Sequence, residues 1–431
     1  MFRALFVGSL LAIALLTKTT PESAHEYSRL GTVESLVERQ TFQLDDSTFI
    51  DTLDKIYRNG HYYSHQPPLL ALIEAPVYWA LHVPGLRFNN RGRLVLTYLF
   101  SLLTNGLALA FTILMFRQIL LLGGVAPPAR DVYAVLLPLG TWLLPYGLVA
   151  NNHGISGLLL TVTIYLLLKM EWQGLTTARL SGAGLAIGAL SAIEWLPLVS
   201  FMPLAIVHFL RRGDLTRRGS LALTAGILAP LVIHGVANVR ITGDLIPAGF
   251  HHEYFNYPGS AFDDRSLTGT IKYDSVGAAA GYAWASLVTG KGYFAFAPIL
   301  ALGVIAGVLE WRWWARARGV YLVLIGGTLL SLAASIITTN NFGGGAVGFR
   351  HATYLAPAML TLLLPWLATP PAARPRAMVV PAIAALSVML MIVFASARPW
   401  SPLTLERMAA GAWSDYVPLA SRLVTGQLLN P

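Results

Sequence analysis

The chain has no cysteine and little charge. The first absence excludes disulfides and thiolate metal sites, so any metal would need histidine and carboxylate ligands. The second is more restrictive. Of 431 residues only 12% are charged, 55% are hydrophobic and the mean hydropathy is +0.59, which leaves too little polar material to cover a soluble globule of this size. Internal repeats, low-complexity tracts and a separate soluble domain are also not visible. The net charge of +9 does not point to nucleic acid, because the arginines fall in short clusters between apolar runs, where positive residues fix membrane topology. The expected fold is an all-α polytopic membrane protein.

A helix crossing hydrocarbon needs roughly 20 apolar residues. Candidate crossings are 94–116, 132–150, 154–169, 181–210, 219–239, 292–310, 319–338, 351–369 and 378–396. The segment 2–16 resembles a secretory apolar region, but TKTTPE follows it instead of a small-residue cleavage site, so an uncleaved first span is expected. The run 181–210 is too long for one crossing and carries Glu194 and Pro197, so it is expected to break into two short helices. The expected total is about eleven spans by window counting.

Orientation follows from the basic short connections. With a cytoplasmic N-terminus, and with 69–83 lying in the interface, Arg117, Arg130, Lys169, Arg179, Arg211, Arg212, Arg217, Arg218, Arg312, Arg316, Arg318, Arg374 and Arg376 all fall inside. Residues 1–396 then form the multi-span domain of a cytoplasmic (inner) membrane protein. The loops 18–93 and 240–291 and a short tail, 397–431, are extracytoplasmic, as are the turns at 151–153 and 338–351.

Polar chemistry therefore gathers on one membrane face. PESAHEYSRL (21–30) sets Glu22 and Glu26 at i and i+4, suited either to accepting a proton from a hydroxyl or simply to a solvated helix face. DKIYRNGHYYSHQPPLL (54–70) collects Asp54, Lys55, His61, Tyr62, Tyr63, His65 and Gln66, where rings can pack on sugar faces and donors can hold anionic oxygens. An interfacial aromatic belt with snorkelling cations explains the same residues. Glu194 within an apolar run is expensive unless it lines a cavity or has a partner, and Asn152 and His153 sit at an outer turn that can face it. Gly343, Gly344, Gly345 and Gly348 precede Arg350 and His351, so backbone N–H groups and a guanidinium could approach a phosphate there. No metal or other cofactor is expected. His251, His252 and Glu253 are sequence neighbours, which rarely point at one ion, and His25-Glu26 lacks the second histidine of HExxH.

A first span running into an acidic outer loop, then GHYYS and a Pro-Pro approach to an interfacial helix, resembles the GT-C glycosyltransferases. It is most similar to the polyprenyl-phosphate-sugar-dependent enzymes related to protein O-mannosyltransferases and lipid A aminoarabinose transferase. The resemblance implies a multi-helix enzyme that moves a sugar from a polyprenyl-phosphate carrier to a glycan, lipid or protein acceptor on the extracytoplasmic face, usually with inversion. It implies a base just beyond the first span, where Glu22 and Glu26 stand instead of the usual aspartate. The family's Lys-Pro-Pro appears as Gln66-Pro67-Pro68, so the carrier phosphate must find other cations among Lys55, His61, His65 and Arg350. The rival expectation is a non-enzymatic flippase of lipid-linked sugar, against which the lack of repeats and the outward lean of the polar residues both argue.

Overall fold

The structure is a computed structural model that describes residues 1–263, 267, 269–368, 376–400, 418, 421 and 422. It is mostly helical, as the apolar runs require. Helix α1 (Phe2–Leu16) stops where Thr17 turns extended and folds its hydroxyl back onto Ile13 O at 2.7 Å. Helix α2 (Ala24–Arg39) is capped by Ser23, whose Oγ accepts the Glu26 N–H at 3.2 Å, and ends at Gln40 in the left-handed region.

The polar stretch that follows is a hairpin, an element the sequence reading left out. Strand β1 (Lys55–Arg58) pairs antiparallel with β2 (His61–Ser64) around Asn59-Gly60, both with positive φ. Such a two-residue turn favours that dipeptide, so the signal was present in the sequence. Pro67-Pro68 then opens α3 (Pro68–His82), a good start because proline at the first turn loses no hydrogen bond. Helices α2 and α3 pack through Leu30, Val33, Ala71 and Tyr78, joined by Phe49 and Phe88.

The long helices follow: α4 (Arg93–Leu122, with a π turn at Leu102–Gly106), α5 (Pro127–Leu139), α6 (Leu143–Gly147), α7 (His153–Gln173) and α8 (Thr177–Ile193). Next come α9 (Trp195–Val199), α10 (Phe201–Leu210), α11 (Arg217–Thr242), α12 (Val276–Leu287) and α13 (Pro298–Leu309). The described chain continues with α14 (Arg318–Thr338), α15 (Arg350–Ala368) and α16 (Arg376–Leu390). Among the described residues six helices are long and apolar enough to cross a membrane, and four shorter apolar ones accompany them. Leu228, Val232 and Val236 on α11 remain exposed, an apolar surface suited to lipid rather than water.

Two boundaries differ from expectation. The run 132–150 is not one helix: it breaks between Leu139 and Leu143, just past Pro138 and at Gly140, leaving α5 and α6. The run 181–210 breaks at Glu194 as expected, but Pro197 lies in the first turn of α9, where a proline is tolerated. The second break is at Ser200, whose Oγ bonds Leu196 O at 2.7 Å and meets Ser331 Oγ at 2.7 Å. Arg374 and most of the tail from 401 lie outside the described residues.

Helices α8 and α11 touch backbone to backbone through glycine. A Cβ on Gly184 would lie 2.4 Å from Leu223 O, one on Gly188 2.5 Å from Ile227 O, and one on Gly226 2.5 Å from Ser181 O. Close approach through small residues is the main route to tight helix packing where no hydrophobic drive separates helix from lipid. Gly226→Val is therefore expected to force the pair apart and to cost at least about 2 kcal/mol. Thermal unfolding of the purified variant in detergent checks this, and an unchanged midpoint would contradict the packing.

Candidate active site

The site is assembled where α1 ends and α2 begins. Helical spacing places His25 and Arg29 on one face of α2. Ser28, on the same helix, pins the next segment: its Oγ bonds Asp54 O at 2.5 Å and meets Ser64 Oγ at 2.6 Å. Thr52 Oγ1 also donates to Ala24 O at 2.9 Å. These contacts bring Asp54 and His65-Gln66, from the two ends of the hairpin, against α2.

The resulting cluster is tight. His25 Nδ1 lies 2.6 Å from Asp54 Oδ2. Gln66 Nε2 is 2.7 Å from His25 Nδ1, 3.0 Å from His65 Nε2 and 3.2 Å from Asp54 Oδ2, while its Oε1 accepts from Arg29 Nη2 at 2.8 Å. Burial and the nearby Arg350 guanidinium push His25 down to about 4, against the pull of Asp54, so its ring is neutral at pH 7. Burial likewise lowers His65. For Asp54 burial works the other way, but His25, His65 and Arg350 outweigh it and hold the carboxyl well below the usual range. Arg29 is buried, its Nε and Nη1 make no hydrogen bond among the described residues, and burial lowers it to about 10 despite Glu74. Burial lifts Glu74 itself to about 8.

A second set adjoins the first. Glu194, at the break after α8, accepts from Asn152 Nδ2, lies 3.0 Å from His153 Nδ1 and accepts from Ser156 Oγ at 3.4 Å. The guanidinium of Arg350, half-buried at the start of α15, stands over the Trp400 ring at 5.5 Å. Trp400 also contacts Tyr146 (5.7 Å) and stacks on His25 (6.3 Å). Among the described residues no carboxylate lies within ion-pair distance of Arg350. Its field nonetheless reaches His25, Asp54, His65 and Arg29. His351 is half-buried beside it, its ring 5.8 Å from Phe349.

Of the residues singled out in the sequence, the structure thus brings Asp54, His65, Gln66, Asn152, His153, Glu194, Arg350 and His351 into one polar region. The rest of the hairpin stands apart. Lys55 donates to Ile50 O and lies 4.7 Å over the Tyr62 ring, His61 faces Asp45 at 3.3 Å in solvent, and Tyr62 packs on Tyr57 and Tyr257. The buried Tyr63 meets Gln43 through its hydroxyl. The glycine loop does not present a bare cradle either. The N–H groups of Gly343 and Gly344 go to Asn341, and Lys291 Nζ grips the carbonyls of Gly344 and Ala346 at 2.8 and 2.6 Å.

Glu22 is exposed, and Glu26 is fully buried. Glu26 Oε2 accepts the Glu22 N–H at 2.9 Å and its Oε1 accepts the Ala150 N–H at 3.1 Å, latching the first loop to the turn before α7. Burial raises this carboxyl to about 8. A raised acid stabilises the fold fully below its ordinary value near 4.5, and that contribution is lost as pH rises through about 8. Glu26→Gln should flatten the decline in melting temperature over that window. Glu26→Ala orphans a buried N–H and should cost about 1–3 kcal/mol. A melting temperature of Glu26→Gln that falls with pH as steeply as wild type would refute the assignment.

Sequence reasoning missed Arg29, Glu74, Lys291 and Trp400, and weighed His25 only against the HExxH pattern. The i, i+4 spacing of His25 and Arg29 was readable, whereas nothing local ties Trp400 to residues nearly four hundred positions away.

No protein-family model and no curated protein sequence matches the chain. Its structure is similar to that of ArnT from Cupriavidus metallidurans bound to undecaprenyl phosphate, with a TM-score of 0.51 and 13% identity over 99% of this chain and 72% of that one. It is also similar to the Archaeoglobus fulgidus oligosaccharyltransferase in the apo form, with a TM-score of 0.54 and 11% identity over 93% of this chain and 56% of that one. The chain therefore spans little more than half the length of the oligosaccharyltransferase. Identity this low establishes the fold alone, and both neighbours are glycosyltransferases of one fold, the fold expected from the acidic first loop and its Pro-Pro exit. The chain has the GT-C fold.

Proposed function

We propose that this protein is a membrane glycosyltransferase that moves a sugar from a polyprenyl-phosphate carrier to a hydroxyl acceptor, with inversion. The observation that carries the reading is Arg350: a half-buried cation without a carboxylate partner among the described residues, next to an ionised aspartate, in the fold of two membrane glycosyltransferases. A cation drawn partly out of water without a carboxylate partner carries a desolvation cost that an arriving anion offsets. The carrier phosphate is such an anion, and ArnT has been seen with undecaprenyl phosphate.

The chemistry divides between two groups of residues. The acceptor oxygen bonds to the anomeric carbon as the bond from that carbon to the phosphate oxygen breaks, and the hydroxyl proton passes to a carboxylate. Arg350, with the unsatisfied donors of Arg29 behind it, faces the charge that develops on the departing phosphate. Asp54 takes the proton. Glu26 is spent on two backbone donors and protonated at neutral pH, and Glu22 lies at the rim. A weakly basic aspartate suits an oxocarbenium-like transition state, in which departure of the phosphate runs ahead of proton transfer. Asn152, His153 and Glu194 form the adjoining wall, suited to sugar hydroxyls. The reading includes about eleven crossings, a site open to the extracytoplasmic side and a tail on that side.

The test is to incubate purified protein in liposomes with undecaprenyl-phosphate-linked sugars and candidate acceptors and to follow release of undecaprenyl phosphate. Release that accompanies transfer supports the reading. Movement of the intact donor across the bilayer without release assigns the chain to flippases instead.

A further inference from the structure

We infer that His25, Asp54 and His65 form a divalent-cation site. Each offers one ligand atom, and the three atoms lie within 4.8 Å of one another. Around a zinc ion with bonds of about 2.1 Å the edges between ligands are roughly 3.4 Å, so only small side-chain adjustments are required. Two imidazoles and a carboxylate are a common donor set for zinc, manganese or iron, and three protein ligands leave a position open for an exogenous oxygen. This departs from the sequence expectation of no metal, which weighed the neighbours His251, His252 and Glu253 and the HExxH spacing after His25, and missed ligands lying 29 and 11 residues apart.

A second observation supports a cation at this point. Arg29 carries only donors, so its bond to Gln66 Oε1 fixes the amide with nitrogen inward. That nitrogen has two hydrogens, yet three acceptor atoms lie within 3.2 Å of it. The His25–Asp54 contact at 2.6 Å makes the conflict sharper. If His25 Nδ1 carries a proton to Asp54, it opposes the Gln66 N–H; if it does not, its lone pair faces the carboxylate oxygen. In the first tautomer two donors face each other across 2.7 Å, and in the second three lone-pair atoms share the two hydrogens of Gln66, so neither satisfies the cluster; an ion at the centre takes a lone pair from His25, Asp54 and His65 while the Gln66 side chain swings out. The ligands are held firmly, since Ser28 ties both Asp54 and Ser64 to the helix that carries His25. Arg29 and Arg350 oppose the added charge, so affinity rests on the three direct bonds and on the negative charge of Asp54. The role of the ion, polarising the departing phosphate through its open position, rests on the glycosyltransferase reading; its binding does not.

The experiment uses the full chain, purified in detergent and stripped with EDTA, then exposed to zinc chloride and, separately, manganese chloride. Metal is counted by mass spectrometry after desalting, and affinity is measured by calorimetry. One zinc per chain is expected. His25→Gln, Asp54→Asn and His65→Gln should each weaken binding at least about tenfold, and Gln66→Ala should bind at least as tightly as wild type. His61→Gln, on the exposed end of the hairpin, should change nothing. Melting temperatures in EDTA identify any variant that fails to fold. The inference is overturned if wild type takes up neither metal, if His25→Gln and His65→Gln bind as wild type does, or if Gln66→Ala loses affinity. A chain that binds zinc and transfers no sugar defeats the proposed function and leaves this site standing, and an active chain that binds no metal does the reverse.

Discussion

On the proposed function, replacing Arg350 by glutamine is expected to lower sugar transfer by about 10²–10³-fold, the loss that follows removal of one preorganised group facing the charge developed in a transition state. Glutamine keeps much of the length and hydrogen-bonding capacity of arginine and removes the charge, so the variant isolates electrostatics. The deficit should fall on kcat as well as on the apparent affinity for the donor, because the guanidinium meets a phosphate that becomes more negative as the glycosidic bond breaks. Arg350→Lys should recover only part of the activity, since an ammonium on a flexible stem replaces a planar fork. The measurement is initial-rate kinetics in liposomes on a variant of unchanged melting temperature. Activity within threefold of wild type would remove Arg350 from the phosphate and, with it, the observation on which the function rests.

Asp54→Asn is expected to reduce kcat by about 10²–10⁴-fold while leaving donor binding close to wild type. Asparagine fits the space and retains one carbonyl oxygen toward the Gln66 amide, so Ser28, Ser64 and the hairpin should stay in register. It cannot take a proton. Glu26→Gln provides the contrast: that carboxyl is occupied by the N–H groups of Glu22 and Ala150 and should affect the pH dependence of stability far more than turnover per folded molecule. If Glu26→Gln abolished transfer and Asp54→Asn did not, the base would belong at the latch, and the cluster around Gln66 would be structural.

The two carboxylates also show where sequence reading stops. Both stand in the first loop, and spacing made Glu26 the more prominent, at i+4 from Glu22 on a helix. What separates them is which partners reach them. Ala150 comes from 124 positions away to occupy Glu26, while His25 and His65, from either side in sequence, each bring a ring nitrogen within 4.8 Å of an Asp54 carboxylate oxygen. Similarly, the stretch 54–70 drew attention to Lys55, His61 and Tyr62, but these stand apart on the hairpin, and the buried polar cluster takes in His65 and Gln66 just past its end.

Composition and periodicity alone determined that this chain is a helical membrane protein, where α1 and α3 lie, and that the 181–210 run breaks at Glu194, because the energetics of lipid and of backbone hydrogen bonds act on local stretches of ten to twenty residues. Which polar groups meet was left to the tertiary structure. The arrangement of Arg350 over Trp400, of Trp400 on His25, and of His25 against Asp54 depends on separations of up to 375 residues. No local preference encodes such encounters; they follow from how the helices pack, and packing is a property of the whole chain.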